Sequence, residues 1–106
     1  MELKRVVVTG LGALTPIGNT VQAYWDGLCR GDSGANPITL FDASKFKTRF
    51  ACEVKQFNPE EFMDKKEARK IDRFTQLAIV ASDQAVADAG LNTDAGINKD
   101  RVGVIW

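Results

Sequence analysis

The run Val6-Val7-Val8, leading directly into Thr9-Gly10-Leu11-Gly12, constrains the fold more than any other segment of the chain. Three consecutive β-branched residues without polar alternation suit a strand covered on both faces, as in a parallel sheet. The two glycines then allow a tight exit from that strand. A strand buried in this way needs helices on the sheet, which places the chain in the α/β class. At 106 residues the chain is long enough for one domain's worth of core, with a smaller buried fraction than a larger domain achieves.

Downstream, Asn19 or Thr20 is placed to cap a helix whose apolar positions Val21, Tyr24, Trp25 and Leu28 follow helical spacing, and Gly31 ends it. Asp32 to Pro37 is loop by its turn residues, and the stretch to Lys47 is irregular. Residues 49–57 alternate as a half-buried strand. Asn58-Pro59-Glu60-Glu61 then supplies a cap, a proline at the first helical position and a carboxylate at the third. The spacing of Ile71, Phe74, Ala78, Ala81, Ala85 and Ala89 predicts one long helix from about Lys65 to Ala89. Its alanines permit close approach to a neighbour, and Gly90-Leu91 is a good carboxyl-terminal stop. Arg101 to Trp106 is expected as a strand. A domain rarely stops on the last residue of an apolar strand, so the sequence is read as a cut chain.

Charge narrows the function classes. Fourteen basic and fourteen acidic residues cancel, leaving no global field to recruit nucleic acid or an anionic membrane. The apolar run after Lys4-Arg5 is too short for a signal-peptide core, and no run approaches a membrane span. The expected location is the cytoplasm, with no nucleic-acid and no membrane partner. Cys29 and Cys52 form no CxxC pattern and the chain has no histidine, so no metal site is expected. Both cysteines are read as buried filler rather than nucleophiles.

Two motifs could carry chemistry. Gly10-Leu11-Gly12 after a strand invites a dinucleotide reading, but the third glycine of that fingerprint would fall at Thr15. Pro16 also sits where the helix should begin, so a structural turn is the preferred reading. Lys66, Arg69, Lys70 and Arg73 recur at i, i+3, i+4 and i+7 and share a face of a continuous helix, opposite Ile71 and Ala78. Residues 65–73 hold five bases against Glu67 and Asp72, a local charge of +3 in a neutral chain. Such a face is either an ordinary solvated one or a surface that steers an acidic partner.

Taken in order, Val6 to Gly12, Thr15-Pro16-Ile17-Gly18-Asn19, Gly31-Asp32-Ser33-Gly34, Phe41-Asp42 and Lys65 to Phe74 resemble the amino-terminal part of the β-ketoacyl-[acyl-carrier-protein] synthase family, in its elongating synthase II branch. The likeness covers essentially the whole chain. It implies an α/β, thiolase-like layered α/β/α/β/α fold, of which residues 1–106 would be an incomplete amino-terminal half. It also implies an acyltransferase of fatty acid synthesis, usually a homodimer. In such an enzyme a cysteine takes the acyl group from acyl carrier protein, and the carbanion from decarboxylated malonyl carrier protein attacks the thioester. The acyl groups travel on the carrier's phosphopantetheine, so no cofactor of the enzyme itself is expected.

The family's nucleophilic cysteine and its two histidines match no position here. No catalytic residue is therefore expected in this chain, and these 106 residues alone are expected to be inactive. The resemblance does carry carrier docking onto Lys66, Arg69 and Lys70, with Lys65 and Arg73 as neighbours. It implies an acidic partner surface beside the carrier's phosphopantetheine-bearing serine. The alternative expectation is a non-catalytic carrier-binding module.

Overall fold

Capping chemistry fixes the helices of the computed structural model, which describes residues 3–91 and 95–105. Helix α1 spans Val21–Arg30, and Thr20 caps it by accepting a hydrogen bond from the Ala23 amide at 3.1 Å. Gly31 ends the helix in the left-handed region at φ 74°. Asn19, the other candidate cap, is used elsewhere: its Nδ2 donates to the Lys55 carbonyl at 2.8 Å. After α1, strands β1 (Asn36–Pro37) and β2 (Phe50–Ala51) pair antiparallel, with Asn36 opposite Ala51 and Pro37 opposite Phe50. A 3₁₀ turn over Pro59–Glu61 is capped by Asn58 and carries proline at its first position, as the sequence implied.

The long helix is two. Helix α2 (Lys65–Ala68) begins at Asp64, whose Oδ1 accepts from the Lys66 amide at 2.8 Å. Helix α3 (Arg73–Asp88) begins after Asp72, which holds extended backbone at ψ 157°. Aspartate is a preferred residue at a helix start, and a continuous helix would stack Lys66 on Lys70 and Arg69 on Arg73 at the repulsive i, i+4 spacing. The break removes that stacking. Its exposed carbonyl end is satisfied by Gln76, whose Nε2 donates to the Ala68 carbonyl at 2.8 Å. At the other end of α3, Gly90 turns left-handed at φ 61°. The Leu91 amide donates to the Val86 carbonyl and the Gly90 amide to the Ala87 carbonyl, the paired bonds of a Schellman stop.

The alanine face of α3 receives the glycine segment. A Cβ at Gly12 would overlap the Ala81 carbonyl oxygen, and one at Gly10 would lie 2.8 Å from the Ala89 Cβ. Glycine is therefore required here by close approach. The contact is also hydrogen-bonded: the Leu11 amide donates to Asp88 Oδ2 at 2.9 Å and the Ala13 amide to Gln84 Oε1 at 3.0 Å. Gln84 in turn donates from Nε2 to the Asn19 carbonyl at 2.8 Å. Lys55 Nζ donates to the carbonyls of Pro16 and Gly34, both at 3.3 Å. Residues 10–19 are thereby tied to α3, to the loop after α1 and to the chain after β2.

Three sequence expectations are corrected. Val6 to Val8 and Arg101 to Ile105 join no ladder among the described residues; Arg101 closes a 3₁₀ turn over Lys99–Arg101, and Val6 and Ile105 are 88% and 98% exposed. Their pattern is that of strands covered on both faces, and the observed sheet consists of β1 and β2 alone among the described residues. Trp106 of the second run lies outside the described residues. The strand expected over 49–57 pairs only at Phe50 and Ala51. Gln56 at φ 54° turns the backbone out of extended conformation. Finally, Cys29 and Cys52 are exposed rather than buried.

The exposed valines belong to a wider condition. The radius of gyration is 17.5 Å, against about 13 Å for a closed domain of this length. Among the described residues the buried apolar side chains are Ala43, Ala68 and Val80. Trp25, Phe74 and Ile79 remain largely uncovered.

Candidate functional site

The basic segment sits on a chain held by several local fastenings. The 3₁₀ turn at Pro59 leads through Asp64 into α2, and Lys65 Nζ bridges back to Glu60 Oε1 at 3.3 Å. Phe57 stacks on Phe62 with ring centroids 5.9 Å apart. Beyond α2, the Lys70 amide donates to the Glu67 carbonyl at 2.9 Å, closing the turn that separates the two helices.

Lys65, Lys66, Arg69, Lys70 and Arg73 are all exposed. The structure thus brings the five bases together, though on two short turns and a helix start instead of a single helical face. Their side chains divide into two groups. Lys65 is engaged with Glu60, and Arg73 donates from Nη2 to the Val54 carbonyl at 3.3 Å with its guanidinium 5.4 Å from the Phe57 ring centroid. Lys66, Arg69 and Lys70 have no side-chain ion pair or hydrogen bond to the described residues. Exposed cations without such partners among the described residues can meet an external anionic surface, where charge acts on encounter rate and register.

Beside this segment a cleft of about 600 Å³ is lined by Thr39, Leu40, Glu53, Val54, Phe57 and Arg73 among others. Within the lining, the Glu53 carboxylate accepts from Thr39 Oγ1 at 2.8 Å, the Thr39 amide at 3.1 Å and the Leu40 amide at 3.2 Å. Those bonds, the Thr39 hydroxyl foremost, hold Glu53 below the usual glutamate range, and Arg73 adds a favourable charge. A carboxyl with a lowered folded-state value stabilises above its unfolded value, and that stabilisation disappears as pH falls through the folded one. The Thr39 and Leu40 amide proton shifts should therefore titrate together below the ordinary glutamate range, roughly pH 4 to 4.5. Glu53→Gln should abolish that step, and an unchanged titration in this variant would separate the loop from Glu53.

The other candidates find structural uses. The amides at Leu11 and Ala13, which a dinucleotide phosphate would need, already donate to Asp88 and Gln84. Gly10-Leu11-Gly12 is thus a packing motif. Among the described residues no cluster of three or more metal-ligating side chains occurs. No described helix is long and apolar enough to cross a membrane. The sequence reading missed Asp72 as a helix start, although aspartate between a basic run and an apolar one was an available signal. It also missed Phe57 and Val54 as the seat of Arg73, a contact across 16 to 19 residues that no local pattern announces.

Comparison with known proteins identifies the family. Residues 3–106 match the model of the β-ketoacyl synthase amino-terminal domain. The chain is 54% identical to a 3-oxoacyl-[acyl-carrier-protein] synthase 2 of Synechocystis over 99% of this chain and 25% of that protein. It is 50% identical to the enzyme of the same name from Staphylococcus aureus strain COL, over 95% of this chain and 24% of that protein. The chain spans about a quarter of the length of these relatives. Among solved structures, the ishigamide ketosynthase/chain length factor superposes with a TM-score of 0.76 at 42% identity, covering 83% of this chain and 22% of that one.

Proposed function

The chain belongs to the β-ketoacyl synthase family as its amino-terminal domain, with the α/β, thiolase-like ketosynthase fold, and from that membership we propose that it serves a condensing enzyme of fatty acid synthesis by docking acyl carrier protein. The docking contacts are Lys66, Arg69 and Lys70, with Lys65 and Arg73 beside them. The observation that carries this reading is a set of three exposed bases, unpartnered among the described residues, on a fastened segment of +3 charge in a neutral chain. The relatives are named 3-oxoacyl-[acyl-carrier-protein] synthase 2, which supports acyl carrier protein as the partner.

In the complete enzyme, a homodimeric acyltransferase of the cytoplasm, the reaction is a decarboxylative Claisen condensation. The acyl group passes from its carrier's phosphopantetheine to the enzyme's cysteine, malonyl carrier protein loses CO2, and the carbanion displaces the cysteine thiolate, so the extended chain ends on the second carrier's phosphopantetheine. Neither Cys29 nor Cys52 is assigned the nucleophile's role. Both lie outside the amino end of a helix, where a thiolate would be favoured. The contribution of these residues is scaffold and docking, and the segment alone does not condense.

Salt separates docking from chemistry. Contacts between exposed charges weaken as the screening length falls from about 14 Å to about 6 Å across roughly 50 to 300 mM salt. The complete synthase should bind its acyl carrier protein progressively more weakly over that range, while its KM for a small acyl thioester stays level. Carrier affinity that ignores salt would contradict a charge-steered dock.

A further inference from the structure

The five bases are not equivalent in the structure, and Arg73 stands apart. Its side chain is exposed, as the others are, yet its guanidinium is committed inward. Nη2 donates to the Val54 carbonyl at 3.3 Å and Cζ lies 5.4 Å from the Phe57 ring centroid. Phe57 is half-buried and stacks on Phe62. Phe62 ends the 3₁₀ turn from which the chain passes through Asp64 into α2. Arg73 is also the first residue of α3, immediately beyond the break that follows Lys70. One side chain thus joins the start of α3, the chain after β2 and the aromatic pair leading to α2. The segment bearing Lys66, Arg69 and Lys70 is held at both of its ends.

Resting on the docking role above, we propose that Arg73 is a positioning residue for carrier binding: it sets the register of Lys66, Arg69 and Lys70 through Phe57 and Val54, and does not itself contact the carrier. The chemistry needed is that of guanidinium specifically. A planar cation can lie over an aromatic face while its in-plane N–H reaches a carbonyl, and an ammonium on a flexible stem reproduces the charge but not that pairing. Removal of a base that met carrier carboxylates through its charge alone would flatten the salt dependence, and such a base would tolerate lysine. A base that works by stacking would not.

The test uses the complete synthase and its acyl carrier protein. Arg73→Lys keeps the charge and removes the planar seat. Phe57→Leu removes the seat without touching any base. Each should raise KM for carrier-bound substrate roughly three- to tenfold, the loss of one stacked contact and one hydrogen bond. Both should leave kcat, the rate with a small acyl thioester and the steepness of the salt dependence as in the unaltered enzyme. The unchanged small-thioester rate reports that both variants are folded. Arg69→Glu is the reference, expected to raise the same KM. If Arg69→Glu acts while Arg73→Lys and Phe57→Leu behave as the parent, the positioning role is overturned and docking stands. A flattened salt dependence in Arg73→Ala, with Arg73→Lys unaffected, would make Arg73 a direct contact and also overturn the inference. If Arg69→Glu itself leaves KM unchanged, the docking surface is misplaced and the inference falls with it.

Discussion

Replacing Gly12 by valine should cost the protein at least about 3 kcal/mol of stability, the upper end for forcing atoms into a packed site. The Cβ alone overlaps the Ala81 carbonyl oxygen and would sit 2.9 Å from the Ala85 amide nitrogen. These are backbone atoms of a helix and cannot rotate away, so the amino-terminal segment must lift from α3. Lifting it also strips the Leu11 and Ala13 amides from Asp88 and Gln84, each a further loss of about 1 kcal/mol. A urea titration of the variant reads the effect as a lowered midpoint at unchanged slope. A midpoint within error of the parent's would mean that the segment does not seat on the alanine face.

The second large effect concerns binding. Reversing Lys66, Arg69 and Lys70 together to glutamate should raise the apparent KM of the complete synthase for carrier-bound substrate about 100-fold. Exposed ion pairs contribute up to about 1 kcal/mol each, and three such contacts compound to roughly two decades. These side chains are exposed and make no hydrogen bond or ion pair among the described residues, so stability and turnover of a small acyl thioester should survive. Equal losses with both donors would place the three bases in folding or chemistry instead of docking.

The caps and stops could be read in the sequence because they are local. Thr20, Asn58-Pro59, Asp64 and Gly90-Leu91 each act within a few residues of themselves. The glycine motif was legible as a turn, but not its partner: that Gly12 seats on Ala81 depends on contact across 69 residues of chain. Hydrophobic periodicity misled at residues 65–89, because Ile71 and Phe74 keep helical spacing across a break at whose end Asp72 takes extended backbone. Strand patterns at 6–8 and 102–105 were read from burial they imply, and in this structure those side chains are exposed. The cysteines erred in the same way, since filler status presumes a closed core. Within the candidate site, the bases and their charge were plain from spacing. The commitment of Arg73 to Phe57 and Val54 was not, because a loop and a turn separate them.

If the basic segment docks on an acidic surface of the carrier, exchanging one charge between the two proteins should restore part of what either change removes. Binding of acyl carrier protein to the complete synthase would be measured for Arg69→Glu, for a carrier with one acidic residue beside its phosphopantetheine serine changed to lysine, and for the two together. Each single change should weaken binding, and the pair should recover about tenfold of what is lost, since close exchanged charges attract again. Losses that simply add, for every acidic residue swapped, would contradict the account.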